Sequence, residues 1–482
     1  MRKNRKKILL WCALGINPMF WGNASAAPIT TPLSGDTVIL QDGDVVDING
    51  SSYAISVSGG GGGLQINGAA DISLVSTPDG NAVTINNSLN NNLGNGTSIS
   101  TTGATYGIRT FGNGSLQADH LSVTVNTPTT GSTAVYGMYV QVGNNVDLGT
   151  GSIFTVESGG TARAEGINLL TVQNFEATDL EINVKNTGTG GVDAVTLQAS
   201  TADFGVGSKI ITSVASQDAN NNGFYMGDGH LTGEQLTIEM SGGKTAVGIY
   251  ATDAYASSSV DLNQSSVTVT GAKNVYGVAG LGSTIVFDEG KVIVSGSDNA
   301  YGITIEDGGT LQSNTLNVQA DSSANNAVGL NVYNSGSTVT TATLLGEITI
   351  VSDDVAMLAE NTGSQITGTG KMTLTGDIVA SGGSGINLAM QSNSSLIGGT
   401  QYEKAASSSL DLEMTESEWT MTKNSSVRAL GLDDSTVNFA TNLTGGIYGT
   451  LTTETLSGTG NRFNLRTDIA GGRGDLLVVE DA

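Results

Sequence analysis

The chain has 482 residues, with 44 acidic and 19 basic side chains and a formal charge of −25, a surface that repels phosphate backbones and excludes nucleic acid as a natural partner. Apolar residues make up 38 % and charged residues only 13 %, low in charge for a soluble domain and unlike the charge-rich composition of disorder. With 68 Gly and only 5 Pro, the Val, Ile and Leu runs are spaced for many short strands joined by tight turns.

The first segment reads as a leader. Met1 to Lys7 carries Arg2, Lys3, Arg5, Lys6 and Lys7, an apolar run follows from Ile8 to Ile16, and Ala24-Ser25-Ala26 offers a small-x-small cleavage site. That order is a Sec-type signal peptide over 1–26, with an apolar run too short to span a bilayer. The competing reading, a lipoprotein signal at Cys12, is disfavoured by Trp11 just before the cysteine and by its early position. Cys12 is the only cysteine, so the processed chain has no disulfide framework and no thiolate metal site. No later segment approaches the ~18 apolar residues of a membrane helix, which predicts an exported, water-soluble product without a transmembrane segment.

Beyond the leader a short pattern recurs every 23 to 30 residues: a small or apolar residue, often Tyr, then Gly, then Ile or Val. It is read at Tyr53-Ala54-Ile55, Val83-Thr84-Ile85, Tyr106-Gly107-Ile108, Tyr136-Gly137-Met138, Glu165-Gly166-Ile167 and Val195-Thr196-Leu197. It continues at Phe224-Tyr225-Met226, Val247-Gly248-Ile249, Tyr276-Gly277-Val278, Tyr301-Gly302-Ile303, Val328-Gly329-Leu330 and Met357-Leu358-Ala359. Within a unit the period is two, as at Leu121, Val123 and Val125, and no helical stripe is sustained. These features predict an all-β chain folded as a right-handed parallel β-helix of roughly 16 coils, about 80 Å long at ~4.8 Å per coil. The expected divisions are an N-terminal cap and first coil at 27–52, repeats over 53–405 and a distinct C-terminal end at 406–482.

Catalytic and metal-binding residues are hard to find. Asp228-Gly229-His230 resembles the Gly-His-Gly of pectin-cleaving β-helix hydrolases, but Leu231 follows His230, and the paired carboxylates Asp353-Asp354 and Asp433-Asp434 come after it, in reverse order. The other histidine, His120, has no partner motif, and no Arg lies between Arg163 and Arg428 to serve a lyase. Ser381-Gly382-Gly383-Ser384-Gly385 does not meet the nucleophile-elbow pattern. Gly471-Gly472-Arg473-Gly474-Asp475 occurs once and places its Asp one residue early for a calcium repeat. The reading is therefore non-enzymatic, with no cofactor and no metal.

From about Leu410 the text changes. Trp419 precedes Ser425-Ser426-Val427, and Leu456-Ser457-Gly458, Phe463, Thr467-Asp468 and Gly474-Asp475-Leu476-Leu477-Val478-Val479 follow in order. This resembles the autochaperone end of a pertactin-like autotransporter passenger. The resemblance implies export through the Sec pathway and the outer-membrane assembly machinery, unfolded and C-terminus first, followed by coil-by-coil stacking at the bacterial surface. It also implies Trp419, Phe463, Asp468, Gly474, Asp475, Leu476 and Leu477 as a folding nucleus. The family continues into a translocator β-barrel, and the chain stops at Ala482 before one; the expectation is a fragment, or a truncated product held in the periplasm. As a passenger it is expected to be an adhesin or autoaggregation factor meeting host-cell or bacterial surface ligands, protein or glycan, or further copies of itself. Arg473-Gly474-Asp475 spells a cell-attachment tripeptide, but its context reads as a turn feeding a buried strand.

Overall fold

A computed structural model describes residues 27–481 except 60–61, 77–79, 129–133, 144, 254–257 and 440–447. The leader, with Cys12, lies outside the described residues. From Val38 onward the chain winds as a parallel β-solenoid of about 16 turns. One coil illustrates all: Tyr106–Phe111, Ser115–Asp119 and Ser122–Thr127 are three strands separated by corners of two or three residues. Each pairs in parallel with its counterpart in the next coil, Tyr106 opposite Tyr136, Ser115 opposite Asn145 and Ser122 opposite Ile153. Repetition of these pairings makes three parallel sheets, called first, second and third in chain order. Among the described residues the only helical element is a single turn at Lys404–Ala406, and no helix is long and apolar enough to cross a membrane.

Alternation within each strand decides what points inward. Ile108, Leu116, Val123 and Val125 are buried in that coil, and equivalent residues form one continuous core from Val38 to Leu451. Burying one such side chain is worth about 1.5–3 kcal/mol, so stacking coils is what makes any single coil stable.

The polar composition has a structural use at the corners. Between the second and third sheets one residue takes a left-handed backbone, as at Asp179 (φ 51°), Gln235 (φ 55°) and Gln264 (φ 49°). Leucine or a buried serine comes next, and the serine hydroxyl accepts the backbone N–H of the leucine in the preceding coil: Leu180 to Ser208 at 3.2 Å and Leu236 to Ser265 at 3.1 Å. Ser208 in turn donates to the Phe204 carbonyl at 2.5 Å. Serine thus satisfies backbone groups that a corner would otherwise leave buried and unpaired.

The recurring triplet marks the first sheet, and its middle residue explains it. A Cβ at Gly277 would lie 2.2 Å from Val292 Cγ1 and 2.5 Å from the Gly302 carbonyl, so the inward position facing the third sheet must be small. Register corrects four of the twelve triplets by two residues. The structural equivalents are Asn81-Ala82-Val83, Asp193-Ala194-Val195, Asn222-Gly223-Phe224 and Val355-Ala356-Met357. The slip puts the inward Val83 in the slot of the outward Tyr53, because Ala82 and Val83 point inward in succession and break the strict alternation there; the small inward residue identifies the register.

The last turns depart from the pattern. After Arg462–Asn464 the chain makes a short antiparallel pair, Thr467–Asp468 with Arg473–Gly474, before Leu476–Val479 rejoins the first sheet beside Thr450–Ser457. The strand expected to be buried after the tripeptide is only half-buried, with Leu476 54 % and Val479 38 % exposed. Among the described residues it has a strand neighbour on one side only, which leaves one edge and part of its face uncovered.

Candidate functional site

The residues singled out in the sequence fall in separate places. His120 sits at an exposed corner with its Nδ1 3.2 Å from Asp119 Oδ2, and His230 opens a second-sheet strand with its ring against the Ser259 hydroxyl. Asp353-Asp354 lies in the coil of Thr340–Glu360 and Asp433-Asp434 at a corner near the C-terminal end, so neither pair meets a histidine. No group of three or more His, Cys, Asp or Glu side chains among the described residues is arranged to hold a metal ion.

At the C-terminal end, Trp419 is fully buried and donates its indole N–H to the Gly398 carbonyl at 3.1 Å. Phe463 and Leu477 pack partly buried against the core, and Asp468 accepts the Gly471 N–H at 2.9 Å. The tripeptide is split in its presentation: Arg473 is exposed, whereas the Asp475 carboxylate has no exposed surface. Arg466 grips that carboxylate through Nη2 at 2.7 Å and Nε at 2.9 Å, and the Arg466 and Gly449 amides each add a bond at 2.7 Å. Burial pushes the Asp475 carboxyl up, but the Arg466 and Gly449 hydrogen bonds win and hold it below the usual carboxylate range.

A different surface gathers the chemistry that sequence reading missed. One outward row of the first sheet runs Tyr106, Tyr136, Glu165, Asp193, Asn222, Val247, Tyr276 and Tyr301, and the row beside it runs Arg109, Tyr139, Asn168, Thr196, Tyr225 and Tyr250. Tyr106 and Tyr136 stack with centroids 4.8 Å apart, and Tyr139 stands edge-on to them at 5.7 and 5.3 Å. The Arg109 guanidinium lies 4.7 Å from the Tyr106 centroid and 4.3 Å from that of Phe111. Next to this cluster, Glu165 and Asp193 face each other on adjacent strands and are only 5 % and 1 % exposed.

These carboxylates are held, not idle. Asn168 donates to Glu165 at 2.6 Å and Thr196 at 3.3 Å, while Asn222 donates to Asp193 at 2.7 Å and Arg163 forms an ion pair with it. Burial pushes the Glu165 carboxyl up to about 7; Asp193 adds to the rise, and Asn168, Arg163 and Thr196 oppose it. Asp193 is also raised by burial, against Arg163 and Asn222. A glycosidase needs two carboxyl groups that reach the sugar from either side. Here both are covered and committed to neighbours. The signal was present in the sequence: with the small inward residue as marker, Asp193 and Asn222 fall into the tyrosine row, and the two-residue slip had hidden them.

Comparison with known proteins agrees with the C-terminal resemblance. The sequence model described as pertactin matches residues 427–482. Over 98 % of its length the chain is 25 % identical to the probable autotransporter YcgV of Escherichia coli (strain K12), covering 55 % of that protein. A putative uncharacterized protein YcgV of Escherichia coli O157:H7 is 37 % identical over 109 residues, 22 % of this chain and 20 % of that protein. The chain thus spans about half the length of the first relative and a fifth of the second.

Proposed function

Taking as premise that the chain is a pertactin-like autotransporter passenger, we propose that it acts at the bacterial outer surface as a non-enzymatic adhesion or autoaggregation rod. The observation that carries this reading is the unbroken solenoid with repeated outward rows. Successive coils hold their outward side chains in parallel register, so weak single contacts multiply by avidity along the rod and across a cell surface. The ligands are host-cell or bacterial surface molecules, protein or glycan, including further copies of the chain. Burial of Glu165 and Asp193 supports binding over catalysis.

Export follows from the same construction. A processed chain without cysteine passes a narrow pore unfolded, with the Sec pathway and the outer-membrane assembly machinery as its transient partners. Nearest-neighbour stacking then lets folding propagate from a C-terminal template. The test is display of the full-length gene product on a non-adherent bacterium, scored for cell binding and autoaggregation. Adhesion or clumping is expected. Verified display with neither, or turnover of pectin-type or host glycans that Glu165→Gln abolishes, would overturn the reading.

A further inference from the structure

The tyrosine row of the first sheet raises a question that folding alone does not answer. Several polar atoms on this face are buried without a hydrogen-bond partner among the described residues: Asn81 Oδ1, Thr84 Oγ1, Arg109 Nε and Asn168 Oδ1. Asn168 is 7 % exposed, and its amide nitrogen is already engaged with Glu165, which fixes the lone oxygen on the tyrosine face. A buried polar atom left unpaired costs about 1–3 kcal/mol, and these four, out of ten such atoms among the described residues, share one outward face. They lie around half-buried rings that need no exposure for stability. Beside Phe111 and Val142 the surface also opens into a depression of about 390 Å³, lined in addition by Asn87, Leu89, Asn113 and Gln141. Leu89 and Val142 are 52 % and 45 % exposed there, which extends the apolar surface beyond the rings.

We propose that this face, centred on Tyr106, Arg109, Tyr136 and Tyr139, binds neutral oligosaccharides laid along the solenoid axis. A sugar ring has one apolar C–H face and a rim of hydroxyls. The first fits a flat tyrosine, and the second supplies both donors and acceptors to isolated amide, hydroxyl and guanidinium groups. Tyr106 and Tyr136 stand on adjacent strands with centroids 4.8 Å apart, so neighbouring sugars of a linear chain meet a ring on each of these two coils before the row turns polar at Glu165, Asp193 and Asn222. The aromatic surface resumes further along the same sheet as Tyr225–Tyr250 at 5.7 Å and Tyr276–Tyr301 at 5.1 Å. Arg109 is stacked between two rings and held flat, a donor fork rather than a free cation. Polyanionic glycans are disfavoured by the net charge of −25 and by Glu165 and Asp193 on the adjoining coils. The buried acids act as positioning residues: they fix Asn168, Thr196 and Asn222 without touching the sugar.

The biological use of such a site rests on surface display, but the binding is a property of the purified chain. Titration with mannose, xylose and N-acetylglucosamine oligomers, followed by calorimetry and saturation-transfer NMR, is expected to show binding by at least one series. Tyr136→Ala and Arg109→Ala should each weaken it about tenfold or more. Tyr136→Phe, which keeps the ring and the fold, should retain most of it, and Asp261→Ala on the second sheet should leave it unchanged. Three results would overturn the assignment: no neutral oligomer binding at millimolar concentration, binding only of heparin-type sulfated oligomers, or full affinity in a folded Tyr136→Ala, Arg109→Ala double variant. Oligosaccharide binding without adhesion of displaying cells leaves the site standing and faults the adhesin reading; adhesion without any oligosaccharide binding does the reverse.

Discussion

The central coils and the C-terminal coils use their polar side chains in opposite ways. Around residues 106–222 the first sheet turns rings, amides and a guanidinium outward, where Arg109 Nε and Asn168 Oδ1 have no hydrogen-bond partner among the described residues. Around residues 400–481 polar groups find one another, and they do so across more than one coil. Tyr402 donates to Glu454 at 2.8 Å, 52 residues away, and Lys404 donates to Glu480 at 2.6 Å, 76 residues away. Arg428 reaches Asp411 at 2.8 Å, and Arg466 closes on the buried Asp475. A solenoid coupled only to nearest neighbours opens one coil at a time, whereas bonds that skip coils make a block open together. The difference teaches that one fold can hold two tasks apart: the end that keeps the rod shut, and the flank left unsatisfied for something else.

The comparison can be broken most forcefully at Trp419. Trp419→Ala removes the largest buried side chain and is expected to cost about 3–5 kcal/mol, melting the C-terminal coils first in a urea titration followed by far-UV circular dichroism. Asp475→Asn should come next, at about 3 kcal/mol, because it leaves Arg466 and two amides facing a neutral group. A loss below 1 kcal/mol would mean that the block does not depend on this pair.

Glu165 gives the central coils their own signature. Its carboxyl rises from 4.5 to about 7 on folding, so between those values the folded chain keeps a proton that the unfolded chain has released. Stability is therefore full below about pH 4.5 and falls as the pH rises to about 7, by about 3 kcal/mol in all. Glu165→Gln should remove that slope and stabilise the chain at pH 8, as read from urea midpoints at pH 5 and pH 8; equal midpoints in the parent chain would refute it. Gly277→Ala, with its Cβ 2.2 Å from Val292, should cost about 1–3 kcal/mol, against near-neutrality for a glycine at an open strand end such as Gly227. The smallest effect is expected at Arg473. Its side chain is exposed, so Arg473→Ala should shift the midpoint by less than about 0.5 kcal/mol.

Much of this was legible before any coordinates. Period-two alternation, the recurring triplet and its 23 to 30 residue spacing follow from one-dimensional rules and point to stacked coils. Trp419, Phe463 and Leu477 were singled out only through the resemblance of the C-terminal segment; the structure buries Trp419 fully and packs the other two partly buried against the core. The recognition face was not legible. Alternation fails at the triplet, where two successive residues such as Ala194 and Val195 both join the core, so it does not say which residue takes the outward slot before them. That ambiguity placed Val195 where Asp193 belongs and separated Glu165 from its partner. The Arg466–Asp475 lock was hidden for another reason: it forms across a short antiparallel turn that interrupts the repeat. Lys404 and Glu480 meet only after the intervening coils have stacked, so no local pattern announces them.

Hydrogen exchange along the purified chain, measured by mass spectrometry at increasing urea, tests this division of labour most directly. The account predicts that peptides covering 400–481 exchange last and together, while those covering 106–222 open earlier and coil by coil. Exchange that begins in the C-terminal coils, or that proceeds uniformly along the rod, would contradict it.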